Sequence, residues 1–439
     1  MPAEPRAGGL LPDRDAPLEH VTPYDRFAWS DEQIERWLAS GEYRSELRAY
    51  FGAEEYRRLA QLARRAQRVG VRAPDLTVCL VPGIMGSQLG LRRAAPLPHD
   101  IVWIDPIDIQ LGRLALLRLA GASAVVPLGV MLFSYLRLKL SLRARGYRVE
   151  CYAYDWRRSL SHLGPALASH LHSLPGRVAL VAHSLGGLVA RAALATAALP
   201  RIERVVLLGT PNLGSFAAVQ ALRGTYAVVR KVARLAPRAS AESLTAEVFS
   251  SFASLYDLLP PPEDGGLDLF EAQSWPDTGP RPDAALLQQA RQARGRLAPA
   301  DPRFAAIAGV GQETVTALRR GAGGFRYTIR RAGDGTVPAA SAALPGVPTY
   351  YARVAHSDLT RDVVVARAVD DLLAHGATAR LPARWHSRAR ASATLSDRDL
   401  ARTHQHKVDW AALTPAARRE FLQNLNEPLH VRLRVPRRG

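Results

Sequence analysis

Ser184 lies in the run Val181-Ala182-His183-Ser184-Leu185-Gly186-Gly187, between an apolar stretch at 178–182 and a helix-like pattern at 185–198. A serine on a sharp strand-to-helix turn is the arrangement of a nucleophile elbow, and the turn needs small neighbours. Gly186 meets that need, and Ala182 stands where a first glycine is usual. The N-terminus of the following helix aims the Leu185 N–H at an oxyanion forming on a substrate carbonyl. A serine hydroxyl is a weak nucleophile, so it needs a base, and the base needs an orienting carboxylate. Downstream, Gly333-Asp334-Gly335-Thr336-Val337-Pro338 centres Asp334 in a turn, and Ala355-His356-Ser357-Asp358-Leu359 follows a strand-like stretch at 350–354. The chain order serine, acid, histidine suits this architecture. A second oxyanion donor is expected from the loop after an early strand. Val81-Pro82-Gly83-Ile84-Met85-Gly86-Ser87 is such a loop, with glycines that let backbone approach a substrate. The Ile84 N–H is assigned that role, and Met85 and Trp103 are the candidate substrate contacts. The competing readings are a capping serine, a turn-forming aspartate, a capping histidine and a tight structural turn. His183 flanks the nucleophile on its strand, and His375 and later histidines lie beyond the last sheet helix.

These residues must be held by strands and helices in alternation. Leu76–Val81, 178–182 and 205–209 are continuous apolar runs, as expected of parallel strands covered on both faces. Weaker strands are predicted at 148–154, 304–308 and 350–354. Helical patterns at 185–198 and 362–373 complete βα units, giving an α/β fold with a mostly parallel sheet and helices on both faces. The stretch 137–145 alternates basic and apolar residues like a strand. It is read as a helix, because Gly146 can terminate it and adjacent parallel strands need a crossover. The uncharged span 119–136 reaches transmembrane length. A bilayer crossing there would separate two strands of one sheet, so a buried crossover is expected instead. Residues 1–29 are rich in Pro and Gly. From Ser30, with Gln33 in capping-box spacing, two or three short helices are predicted up to about Ala66.

The set of motifs resembles the lecithin:cholesterol acyltransferase-like branch of the α/β-hydrolases. The matching texts are VPGIMGSQL (81–89), YDWR (154–157), HSLGG (183–187), LGTPNLGS (208–215), GDGTVP (333–338) and HSDL (356–359). They fall in the family's order over roughly 76–373. The resemblance implies an acyl-enzyme mechanism on lipid esters, by hydrolysis or by transfer to an alcohol. It implies Ser184, Asp334 and His356 as the triad, and Ile84 and Leu185 as the oxyanion positions. A hydrolase domain is expected at 76–375, and the alternation of elements implies a lid at about 88–125 and a cap insertion at about 212–302. A helical arm (1–75) and a basic extension (376–439) flank it. Trp103 and the run 114–119 are the lid residues placed to meet lipid or to pack, and Asp155 and Arg157 brace the site. The secreted eukaryotic members carry a signal peptide and a lid disulfide. Neither is evident here, and the expected location is cytoplasmic, with peripheral membrane contact.

Composition agrees with a folded enzyme. The chain has 439 residues, 47% hydrophobic and 22% charged, which excludes a wholly disordered or collagenous protein. Two cysteines exclude a disulfide scaffold and a four-cysteine zinc site. His404 and His406, two apart, do not share a helical face, so no metal is expected. No cofactor is required. The net charge of +18 is carried almost wholly by arginine. Charge of that sign favours anionic partners. With no nucleic-acid motif or aromatic-basic array, the expected partners are a lipid or other acyl-ester substrate and an anionic membrane surface, and no nucleic acid. A catalytically dead scaffold and a basic nucleic-acid binder are the rival classes.

Overall fold

Ser30 accepts a hydrogen bond from the Gln33 N–H at 3.2 Å and starts helix α1 (Asp31–Ser40). Only half of the expected capping box forms, because the Gln33 side chain turns to Arg36. Helices α2 (Arg44–Phe51) and α3 (Ala53–Val69) follow. The structure, a computed structural model, describes residues 22–71, 75–95, 97–119, 123–262, 266–387, 392–425 and 427.

Strand β1 (Leu76–Val81) enters the main sheet. The chain then leaves it for strands β2 (Ser87–Leu91) and β3 (Asp100–Trp103), helix α4 (Pro106–Gln110) and strand β4 (Val126–Val130). Helix α5 (Leu132–Arg143) crosses back to β5 (Arg148–Cys151). Helix α6 (Leu160–Ser173), β6 (Arg177–His183), helix α7 (Leu185–Thr196) and β7 (Ile202–Leu208) make two βα repeats. Helices α8 (Phe216–Leu222), α9 (Ala227–Leu235), α10 (Ala241–Glu247), α11 (Ala253–Asp257) and α12 (Ala284–Gly295) lie between β7 and β8 (Phe304–Gly309). Next come β9 (Gln312–Gly321), β10 (Gly324–Gly333), helix α13 (Ala339–Ala342), β11 (Thr349–Ala352) and helix α14 (Val363–His375). The last elements are β12 (Ser392–Ser396), α15 (Asp397–Ala401) and α16 (Pro415–Gln423).

Six strands form one sheet in the order β11-β8-β7-β6-β1-β5, and every pairing is parallel. These are the six strands anticipated, three from continuous apolar runs and three from weaker patterns, and with the helices between them they make the α/β-hydrolase fold. β5 is shorter than expected. After Cys151 the chain makes one more bond, Tyr152 N–H to Leu80 O at 3.0 Å, then turns so that Tyr154 and Trp156 reach the β1–β2 loop.

The alternating text at 137–145 lies in helix α5 and the turn after it, and packing explains the alternation. Leu132, Leu136 and Leu140 meet the N-terminal helices, while Tyr135, Leu138 and Leu142 meet the sheet. A helix between two apolar layers needs hydrophobic residues on both sides. Lys139, buried between them, is held by Asp31 at 2.7 Å and Glu32 at 2.9 Å. Gly146, at φ 93°, ends the segment. The span 119–136 is divided between β4 and α5, and no helix among the described residues is long and apolar enough to cross a membrane.

Two small antiparallel sheets were not anticipated. β3-β2-β4 runs through the region expected to be lid and just past it, and β12-β10-β9 is built from strands that follow β8 in the chain. Asp334 stands in the turn after β10, an antiparallel strand of the second of these. The described part of the C-terminal extension packs onto the rest of the fold. Lys407 donates to the carbonyls of Ala233, Ala236 and Ala239, and Arg419 to that of Ala49.

Candidate active site

β6 ends at His183 and α7 begins at Leu185, leaving Ser184 between them at φ 54°, ψ −126°. A non-glycine residue at positive φ costs of order 1–3 kcal/mol and persists only where the surroundings fix it. Here they do. The Ser184 N–H donates to Leu208 O at 2.8 Å. A Cβ on Gly83 would come within 2.8 Å of the Ser184 Cβ, and one on Gly187 would strike the Thr210 side chain. The small residues are therefore what allows the turn to sit this close to its neighbours.

His356 Nε2 lies 2.9 Å from Ser184 Oγ, and His356 Nδ1 lies 2.7 Å from Asp334 Oδ2. Asp334 is buried, and its other oxygen accepts from the Thr336 N–H at 2.9 Å and the Val337 N–H at 2.7 Å. Those donors orient the carboxylate toward the imidazole. The backbone joins the two loops as well, since the His356 N–H donates to Asp334 O at 2.9 Å. The three residues singled out by motif thus meet in one hydrogen-bonded chain, although they come from three separate segments.

Ile84 and Leu185 also converge on this place. Neither backbone N–H has a protein acceptor among the described residues. Ile84 lines the cavity at Ser184, and Met85 beside it is at φ 60°. The loop is braced from below. Tyr154 OH donates to Pro82 O at 2.7 Å, and Trp156 Nε1–H donates to Ser87 O at 3.0 Å. Arg157, fully buried, pairs with Asp155 at 2.8 Å and donates to Leu117 O and Val125 O. The bracing expected of Asp155 and Arg157 is therefore directed at the region before β4.

The cavity at Ser184 is mainly apolar. The inserted helices supply much of its wall, with Ala217, Ala218, Ala221, Val228, Leu255 and Leu258. Met85 belongs to this wall. Trp103 does not; it is buried, meets Trp156 edge to face at 5.4 Å, and donates from Nε1 to Met85 O at 3.3 Å. It lines an adjacent cavity that Met85 shares. In the stretch 114–119, Leu114 and Leu117 are buried, whereas Leu116 is exposed.

Two further residues were not singled out from sequence. Tyr135 OH accepts from the Gly83 N–H at 2.8 Å and lies 3.0 Å from His183 Nδ1. Tyr135 stands in α5, whose text carries no sign of a site. Ser215 Oγ donates to Thr336 O at 2.5 Å, tying the LGTPNLGS motif to the Asp334 turn. His404 lies in a turn, not a helix, and among the described residues no group of three or more His, Cys, Asp or Glu is placed to hold a metal.

The class is defined by a parallel sheet carrying a serine on the turn after a central strand, which is the α/β-hydrolase arrangement. Within that class, residues 133–288 match the family described as lecithin:cholesterol acyltransferase. No curated protein matches the chain in sequence. Among solved structures, a Tle4–Tli4 complex is 16% identical, covering 66% of this chain and 96% of that one, at a TM-score of 0.38. The mature lipase BlEst2 of Bacillus licheniformis is 15% identical, covering 71% and 95%, at 0.36. The phospholipase PlaB from Legionella pneumophila is 14% identical, covering 61% and 45%, at 0.29.

Proposed function

We propose that this chain is a serine-dependent acyl-ester hydrolase acting on lipid esters through an acyl-enzyme. The observation that carries the reading is the unbroken chain Asp334–His356–Ser184, at 2.7 and 2.9 Å, ending on a strained turn. The lecithin:cholesterol acyltransferase match supports the substrate class. His356 Nε2 takes the Ser184 proton as Oγ attacks the ester carbonyl, and Asp334 stabilises the imidazolium. The N–H groups of Ile84 and Leu185 receive the oxyanion. His356 then protonates the departing alcohol, and water, deprotonated in turn by His356, releases the acyl group. On this reading residues 76–375 are the hydrolase domain and 88–125 and 212–302 its lid and cap. Residues 1–75 are an arm whose helices are α1 to α3, and 376–439 an extension; 1–21 and 428–439 lie outside the described residues.

A fluorophosphonate probe is expected to label the protein once, and Ser184→Ala to abolish labelling. Label that persists in the variant overturns the assignment.

Hydrolysis is the default because water needs no pocket. An alcohol competes only when held in near-attack geometry, where effective molarities of about 10⁵ M and above become available. Transfer to an alcohol is the second reading, and the cavity adjoining the first at Met85 favours it. A lipid ester presented with a long-chain alcohol in the same micelles separates the two. Free fatty acid as the main product supports hydrolysis, and comparable ester formation supports transfer.

A further inference from the structure

The cavity at Ser184 does not end at Met85. A second chamber adjoins it, and Met85, Ser134 and Ser357 line both. The two differ in wall chemistry. The first has a broad face of alanine, valine and leucine from the inserted segment, with hydroxyls such as Ser215 and Thr336 at its margin. The second has the rings of Phe27, Tyr50 and Phe133, with Phe27 on Tyr50 at 3.7 Å and Tyr50 on Phe133 at 4.3 Å. It adds the amides of Gln88 and Gln423 and the side chain of Leu422. Phe27 and Tyr50 precede the main sheet, Leu422 and Gln423 follow it, and Phe133 starts the helix that crosses back to it. Different parts of the chain have thus built a chamber at the serine.

We infer that this second chamber receives the alcohol portion of the ester. The inference rests on the acyl-ester reading above. A tetrahedral carbon on Ser184 Oγ must send its acyl chain and its alkoxy group in different directions. A mainly apolar wall suits a hydrocarbon chain, whereas aromatic faces interleaved with amides and hydroxyls suit a group with both an apolar body and a hydroxyl. The proton for the departing alkoxide comes from His356 Nε2, and Ser357, the next residue, stands at the junction of the chambers. The alcohol is an uncharged one. Among the described residues lining this wall the one cation is Arg361, and it is paired with Asp358 at 2.6 Å, so no unpaired positive group there faces a phosphate. The same chamber serves an acceptor in the reverse sense. His356 takes the proton of the alcohol, its oxygen attacks the acyl carbonyl, and Ser184 Oγ departs and regains a proton from His356.

The test uses the full chain with two ester panels, one varying the alcohol at fixed acyl chain and one the reverse. Leu422→Trp fills the second chamber, Phe133→Ala enlarges it, and Ala221→Leu fills the first. Leu422→Trp is expected to lower kcat/KM for bulky-alcohol esters by about 10-fold or more while sparing methyl esters and the acyl-length profile, the scale on which pocket volume discriminates. Phe133→Ala is expected to favour bulkier alcohols, and Ala221→Leu to alter acyl-length preference alone. Octanol binding, followed by tryptophan fluorescence, is expected to weaken in Leu422→Trp and needs no turnover. The inference is overturned if folded Leu422→Trp shifts acyl preference or neither preference, or if phosphate-bearing alcohols are the preferred leaving groups. It is overturned too if octanol binds wild type and Leu422→Trp alike. Octanol binding lost in Leu422→Trp, in a protein without esterase activity or Ser184 labelling, would instead sink the catalytic reading and retain an alcohol site.

Discussion

The Nε2 of His183 lies 3.1 Å from the backbone carbonyl oxygen of His356. A carbonyl only accepts, so Nε2 carries the proton and Nδ1 is left as an acceptor. Tyr135 OH therefore donates to Nδ1 and accepts from the Gly83 N–H. One continuous chain of hydrogen bonds links the loop of Ile84 to the loop of His356, and it requires a neutral His183.

Burial, with the neighbouring His356 adding to it, pushes the His183 pKa down to about 3 from its usual 6.5. The unfolded chain then binds a proton that the folded chain refuses. Stability from this group is fully present above pH 6.5 and is lost as pH falls toward 3, by at most about 1.4 kcal/mol per pH unit. Urea denaturation at pH 7, 5.5 and 4.5 should show that slope, flattened in His183→Gln. An unchanged slope in the variant would place the acid sensitivity elsewhere.

Tyr135→Phe leaves the Gly83 N–H without its acceptor and His183 Nδ1 without its donor. Unmade buried hydrogen bonds cost about 1–3 kcal/mol. The variant should be less stable by that order, and kcat should fall more than KM rises, because the loop it holds carries the Ile84 N–H. Equal kcat in the two proteins would argue against that coupling.

Asp334→Asn keeps the acceptor for Thr336 and Val337 but removes the charge facing His356 Nδ1. The expected loss in kcat is of order 10⁴-fold, the scale seen when a triad carboxylate becomes an amide. Thermal melting should be little changed. A loss of under tenfold, on the same scale, would remove Asp334 from the triad.

Gly83→Ala places a methyl group 2.8 Å from the Ser184 Cβ, closer than real contacts allow. One of the two loops must move, and overpacking of this kind costs about 1–3 kcal/mol. Activity should fall, together with fluorophosphonate labelling. Full labelling at the wild-type rate would mean that the loop yields without consequence.

Peripheral membrane contact is proposed for the region around β2 to α5, where basic residues outnumber acidic ones and Leu111 and Leu116 are exposed. Attraction to anionic lipid is worth about 1 kcal/mol per basic residue near the surface and is screened by salt. The protein should sediment with anionic vesicles, leave them in high salt, and bind less as Leu111→Asp with Leu116→Asp. Retention in high salt until detergent is added would contradict a peripheral mode.

Three of the six main strands were plainly legible because a strand covered on both faces reads as a continuous apolar run, as Leu76–Val81 does, whereas the edge strands β5 and β11, less covered, gave weaker signals. The triad positions were legible because each follows a recognisable strand or turn. What stayed hidden depended on partners remote in the chain. β4 contains Pro127 and Gly129, poor strand residues, and is held by its pairing with β2. β9 and β10 carry arginines on an exposed side, and β12 joins them from far downstream. Tyr135 reads as one more apolar position of a buried helix. Only the fold brings its hydroxyl against Gly83.

Asp334 hangs from β10, and β10 is closed on its far side by β12, with Asp397 accepting from the Phe325 N–H at 3.0 Å, Tyr327 OH at 2.6 Å and Arg223 at 3.1 Å. The ribosome makes Ser184, Asp334 and His356 well before it makes that clasp. A nascent chain halted ahead of Ser392 holds all three groups of the Asp334–His356–Ser184 chain but not the strand that pairs with β10. The residues that meet at Ser184 are thus all synthesised before the sheet that carries the acid is closed, and the last edge of that sheet is supplied by the final tenth or so of the chain.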